Sequence, residues 1–220
     1  MRDLPLGDIE LFNGGNWQQM YVEVKEQLPP DQPTTKMKPV KIVIFFDASF
    51  TWDMITRRSV TGIIVFVNST PIRWYCKKQN TVETSTYGAD IVVGRLVTEM
   101  AIKFRYIFRM LGVLIIGPVT LLGDNKGMIQ NTLIMSSQLN KKHNAIAYHR
   151  VQESVAADII KIGHVRSEYN YAGNCTKALN GPKLHGLSKD LLFWTSDSRE
   201  CQSVTNHVYW HLRHHSFIVI

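Results

Sequence analysis

The spacing of apolar residues changes character twice along this chain. Ile42 to Phe46 is a run of five apolar, mostly β-branched or aromatic residues. It predicts a strand over 40–46 buried on both faces. "TGIIVFV" (61–67) and "IRWYC" (72–76) predict two more strands, joined by Asn68-Ser69-Thr70-Pro71, which is turn chemistry. Short links favour antiparallel neighbours. Between Thr86 and Leu111 the period shifts: Ile91, Val92, Leu96, Val97, Met100, Ile102, Phe104, Ile107, Phe108 and Leu111 recur at helical spacing. Ser85 or Thr86 is the expected N-cap and Gly112 the expected stop. A strand at 119–123, a short helix at 125–133, a polar loop at 134–142, a helix at 143–157, a strand at 158–165 and a last helix at 170–179 complete the pattern. The predicted fold class is α/β, with a five-stranded mixed sheet. Three strands are antiparallel, the two that follow are parallel, and helices cover both faces.

Residues 1–39 show no sustained period. With Pro29, Pro30, Pro33 and Pro39 they read as an extended, proline-rich linker. The 220 residues, 45% hydrophobic and 20% charged, suffice for one domain of ordinary size with extra segments. A net charge of +7 favours a polyanionic partner such as nucleic acid. The longest apolar run, Met110 to Val119, is too short to cross a bilayer and contains Gly117-Pro118. No membrane partner and no small-molecule substrate are expected. Cys76, Cys175 and Cys201 form no disulfide framework, and "MRDLPLGDIE" has no apolar core of a signal peptide. The expected setting is intracellular, cytoplasmic or nuclear, not secreted.

Candidate chemistry lies at the edges of these elements. Asp47 follows the first strand, Asp124 follows the fourth, and Asp90 lies in the first turns of the long helix. Taken singly, each has an ordinary role: Asp47 opening a turn, Asp90 favouring the helix dipole, Asp124 with Asn125 capping the next helix. If strands one and four are parallel neighbours, however, Asp47 and Asp124 emerge side by side at their carboxyl ends, where open sheets place their sites. Carboxylates converging there repel one another unless cations intervene, and hard oxygen ligands suit Mg²⁺.

The strings "FFDASF", "RRSVTGIIVFVNSTPIRWYCKKQNTVETSTYGAD", "LLGDNKG", "KKHNAIAYHRVQE" and "AGNCTKAL" resemble the ribonuclease H region that closes the Pol polyprotein of copia-type retrotransposons, C-terminal to the reverse transcriptase. The resemblance covers roughly residues 40–195. It implies a ribonuclease H-like domain at 40–182, a family C-terminal segment at 183–195, and an upstream polymerase region before the linker. Residues 196–220 have no counterpart. The activity it implies is two-metal hydrolysis of the RNA strand of an RNA–DNA hybrid, with Mg²⁺ or Mn²⁺ held by four carboxylates.

The first and third of these carboxylates fall on Asp47 and Asp124. The second, a helical Glu, falls on Asp90. The fourth belongs to an Ala-Asp-Ile-Leu-Thr-Lys motif, read here as Ala172-Gly173-Asn174-Cys175-Thr176-Lys177, so the acid is replaced by Gly173. Shortening Glu to Asp withdraws the carboxylate by roughly 1.5 Å, against a catalytic tolerance of about 0.5 Å. The expectation is a damaged site with at most one metal position intact. The alternatives are a still-active nuclease, with water or Glu168 at the fourth corner, and a non-catalytic nucleic-acid-binding or interaction domain.

His143 is a candidate proton shuttle near the site. Arg57, Arg58, Lys77 and Lys78 are candidate contacts to hybrid phosphates. Trp74 reads as core and His149 as a core-edge residue. In the unmatched tail, His207, His211 and His215 would share one helix face, with no acid or Cys arranged beside them.

Overall fold

The computed structural model describes residues 9–11, 17–50, 54–133, 144–189 and 191. In chain order the elements are β1 (Glu10–Leu11), α1 (Trp17–Met20), β2 (Ile42–Ser49), β3 (Val60–Val67), β4 (Thr70–Lys78), α2 (Thr86–Met110), β5 (Val119–Gly123), α3 (Lys126–Leu133), α4 (Ala145–Ala156), β6 (Ile160–His164), α5 (Gly173–Thr176) and α6 (Gly181–Ser188). The sheet runs β1-β6-β5-β2-β3-β4. β2, β3 and β4 are antiparallel, while β5 lies parallel to both β2 and β6. This is the expected five-stranded mixed sheet of a ribonuclease H-like fold, with a two-residue strand added at one edge.

Alternation along the strands divides the core in two. Ile42, Ile44 and Phe46 of β2 join Ile63 and Val65 of β3 beneath Ile91 and Val97 of α2, Met128 of α3 and Val151 of α4. Val43 and Phe45 face the other way with Ile64 and Phe66, beneath Tyr171, Ala172, Cys175 and Leu187. Because side chains alternate along a strand, a run apolar at every position needs cover on both faces, and it receives it. Phe45, Phe66 and Tyr171 meet at ring-centroid distances of 4.9–5.6 Å. Each fully buried side chain of this size contributes about 1.5–3 kcal/mol.

Local signals set the ends of α2. The Ser85 hydroxyl accepts the Gly88 backbone N–H at 3.1 Å, and Gly112 leaves the helix at φ +69°, a conformation that suits a residue without Cβ. Asn125 Oδ1 accepts the Met128 N–H at 3.0 Å, so Asn125 caps α3 and Asp124 is left available.

Three expectations change. β2 does not end before Asp47. It continues to Ser49, with Asp47 opposite Gly62 of β3, because the Asp47 carboxylate finds donors inside the fold. The helix expected over 170–179 is only the single turn α5, and a separate helix, α6, begins at Gly181. The proline-rich segment also carries packed side chains. Trp17 is buried and donates its indole N–H to the Leu133 carbonyl at 3.0 Å, and Glu26 pairs with Arg105 and Arg109 of α2.

Candidate functional site

Asp47 lies at the carboxyl end of β2 and faces α5. Gly62, its cross-strand partner, explains how α5 comes so close to the sheet. A Cβ at Gly62 would stand 2.6 Å from Thr176 Cγ2, 2.7 Å from the Ala172 carbonyl oxygen and 2.9 Å from Cys175 Cβ. Two further bonds hold the turn down. Asn170 donates its amide to the Phe46 carbonyl at 3.0 Å, and the Cys76 thiol donates to the Cys175 carbonyl at 2.8 Å. The adjacent Thr176 and Lys177 are thereby delivered to the carboxylates.

The Lys177 ammonium donates to Asp47 Oδ1 at 3.1 Å and to Asp124 Oδ2 at 3.3 Å. The Thr176 hydroxyl donates to Asp47 Oδ2, and Ser167 Oγ donates to Asp124 Oδ2 at 2.8 Å. Asp90, on α2, receives the Asn125 amide on Oδ2 at 2.6 Å. Burial, and next the Asp124 charge, raise the Asp47 pKa above the ordinary value, although Lys177 and Thr176 work against the rise. Burial pushes Asp90 up to about 7; Asn125 opposes that shift and the Asp47 and Asp124 charges add to it. Burial works against the Lys177 charge, yet Asp47 and Asp124 hold its pKa above the usual lysine value.

Asp47 and Asp124 therefore meet at one end of the sheet, as the adjacency of β2 and β5 requires, and Asp90 of α2 lies close enough for their charges to raise its pKa further. Gly173 stands at the start of α5, where an added Cβ would meet nothing within 4 Å. Glu168 is not part of the site: its side chain is 59% exposed and pairs with Arg166 at 3.5 Å. His143 lies outside the described residues, as do His207, His211 and His215.

The donor set does not fit the two divalent ions that the family resemblance implies. An ammonium bridges the two carboxylates, Asp90 is tied to Asn125, and position 173 supplies no side-chain oxygen. Among the described residues, no three His, Cys, Asp or Glu side chains gather as a metal-holding group.

The basic candidates share this end of the sheet. Register pairs Ser49 of β2 with Val60 of β3, and Val60 with Lys78 of β4. Lys77 and Lys78 are thus exposed beside the β2–β3 connection that carries Arg57 and Arg58. Lys77 and Lys78 also line a groove of about 350 Å³ with Arg95 of α2, Gln79, Thr61 and Tyr75. Sequence reasoning missed Arg95 and the role of Lys177. Arg95 lies on the exposed stripe of an amphipathic helix, where a basic residue is unremarkable. For Lys177 the only signal was its place in the motif. Trp74 is half-buried against the second core cluster, and His149 accepts or donates at Nδ1 with the Tyr21 hydroxyl, 2.9 Å away.

No protein-family model matches the chain. By sequence it is similar to the retrovirus-related Pol polyprotein from transposon RE2 of Arabidopsis thaliana, 25% identical over 150 residues, covering 67% of this chain and 10% of that polyprotein. The corresponding polyprotein of transposon RE1 from the same plant is 27% identical over 139 residues, covering 62% and 9%. The chain thus spans about a tenth of the length of the curated relatives it matches. Solved structures similar to it include the N-terminal RNase H domain of rv2228c from Mycobacterium tuberculosis, with TM-score 0.45, 17% identity and coverage of 62% of this chain and 91% of that one. RNase H1 from Halobacterium salinarum gives 0.43, 14%, 61% and 91%. The foamy viral protease-reverse transcriptase in complex with RNA/DNA hybrid gives 0.45, 16%, 70% and 22%. Strand order and pairing are those of the ribonuclease H-like fold expected from the sequence. Its homologues by sequence are retrovirus-related Pol polyproteins from transposons.

Proposed function

We propose that this domain, of the copia-type Pol lineage, binds RNA–DNA hybrid in an intracellular setting and cleaves its RNA strand slowly or not at all. The observation that carries the reading is the combination at one sheet end of Asp47 and Asp124, bridged by Lys177, with Gly173 where the lineage has an acid. Two-metal hydrolysis needs ions fixed on both the attacking and the leaving oxygen. Here the second ion lacks an anchor, and the acid at position 90 is one methylene short and engaged with Asn125. Binding asks for less. Exposed cations at Arg57, Arg58, Lys77, Lys78 and Arg95 meet the requirement of a phosphate backbone for placed positive charge.

The test is a fluorescently end-labelled RNA–DNA hybrid, followed by anisotropy for binding and by gel for cleavage, in Mg²⁺ and in Mn²⁺. The expected result is saturable binding with little product. Absence of binding at low salt overturns the reading.

A further inference from the structure

We propose that Lys177 is the built-in cation of this site: its tethered ammonium holds Asp47 and Asp124 together and competes with any divalent ion for them. The proposal rests on the reading of these acids as the carboxylate cluster of a ribonuclease H-like site, and it concerns what neutralises them.

The geometry is specific. Both oxygens of Asp47 are committed to protein donors, Oδ1 to Lys177 and Oδ2 to Thr176. Asp47 is 2% exposed, so a metal ion could reach it only by displacing one of them. Asp124 Oδ2 is shared between Lys177 and Ser167. The ammonium is not an incidental surface charge. Lys177 directly follows α5, its own N–H is held by the Gly173 carbonyl at 3.1 Å, and α5 is pressed onto Gly62 and tied by Asn170 and Cys76. A backbone fixed at this point therefore starts the flexible lysine stem within reach of both acids, one on β2 and one directly after β5. Its side chain remains 41% exposed, so it can swing out when something stronger competes.

Two neighbouring carboxylates, Asp47 buried and Asp124 partly so, need a counter-charge. A divalent ion supplies one only while it is bound, whereas a tethered lysine supplies it at any metal concentration until a stronger competitor displaces it. With Gly173 in place of an acid, the site has lost negative charge that would favour the divalent ion over the ammonium. The consequence is a carboxylate cluster assembled without metal, beside a basic surface for nucleic acid.

The experiment compares the whole chain with K177M and K177R. Thermal unfolding is followed in EDTA, in millimolar Mg²⁺, and in NaCl of equal ionic strength; Mn²⁺ binding is followed by the loss of the free-ion EPR signal. In the parent, Tm is expected to be unchanged by Mg²⁺ beyond the salt control. In K177M, Tm falls by a few °C in EDTA, since the buried Asp47 loses the half-exposed ammonium that offsets its charge, and Mg²⁺ restores it. Mn²⁺ should bind K177M at least about 10-fold more tightly than the parent, the effect of about 1.4 kcal/mol of lost charge competition, and K177R should behave as the parent does. Equal stabilisation of parent and K177M by Mg²⁺, or an unchanged Tm in K177M, overturns the proposal. Tight Mn²⁺ binding by the parent overturns it even if K177M does not fold, and its absence there supports it. None of these readouts uses nucleic acid. The expected Tm pattern in a chain that fails to bind hybrid would support the built-in cation while refuting the ribonuclease H reading.

Discussion

Replacing Glu26 with Gln tests whether the proline-rich segment is part of the folded unit. Glu26 receives Arg105 Nε at 2.7 Å on Oε1 and Arg105 Nη2 at 2.7 Å on Oε2, and Arg109 Nη2 approaches Oε2 at 2.8 Å. Arg105 is buried and has a further bond to the Gly117 carbonyl. Burial alone would raise the Glu26 pKa, but the two guanidinium groups bring it from 4.5 to about 2. A shift of that size corresponds to about 3 kcal/mol at most, and solvent access to the pair reduces the figure to about 1–2 kcal/mol. The folded-state pKa is depressed, so the contribution is fully present above about pH 4.5 and is lost as pH falls toward 2. Urea unfolding of parent and E26Q at pH 7 should differ by about 1–2 kcal/mol. The gap should close as the pH approaches 2, where the parent's own carboxyl is protonated. A difference below about 0.5 kcal/mol at pH 7, or one that does not change with pH, would refute the idea that this clamp fastens residues 17–29 to α2.

Two further predictions concern the ground beneath the site and the surface beside it. Gly62→Ala should destabilise the fold by about 1–3 kcal/mol, because the added methyl would meet the Ala172 carbonyl oxygen, which cannot rotate away; an unchanged urea midpoint would show that α5 yields freely. Replacing Lys77 and Lys78 together by Ala should flatten the slope of log affinity for hybrid against log salt by up to about 2 units, at roughly 0.9 per phosphate contact, and weaken all sequences alike; an unchanged slope in a salt titration would leave the two lysines as solvated charges.

What could be read from the sequence was local, and what could not was tertiary. Ile42 to Phe46 announces a strand covered on both faces because each residue has to find apolar contact on one side or the other. Ser85 and Gly112 announce the ends of α2 because capping and left-handed backbone are properties of single residues. Asp47 gave the correct end of the sheet but the wrong local structure. Turn chemistry was overridden by donors from α5, which lies far along the chain. Trp17 and Glu26 were passed over for the same reason. Neither sits in a periodic stretch, and their partners, Leu133 and the α2 arginines, are distant in sequence. The three acids were found because motif and topology agreed. Lys177 was not singled out, since its place in the motif does not say that its ammonium will rest between two carboxylates.

Cleavage of the labelled hybrid by the parent and by the double variant D90E/G173D, in the same Mg²⁺ buffer, bears most directly on the claim that catalysis is impaired while the fold and its binding surface remain. Position 173 has room for the new side chain, and the restored acid adds charge that favours a divalent ion over one ammonium. The expected result is cleavage about 100-fold faster in the double variant than in the parent, the scale on which misplaced catalytic groups act, with hybrid affinity little changed. A parent that already cuts as fast as the double variant, and loses that activity on Asp47→Asn, would contradict the account.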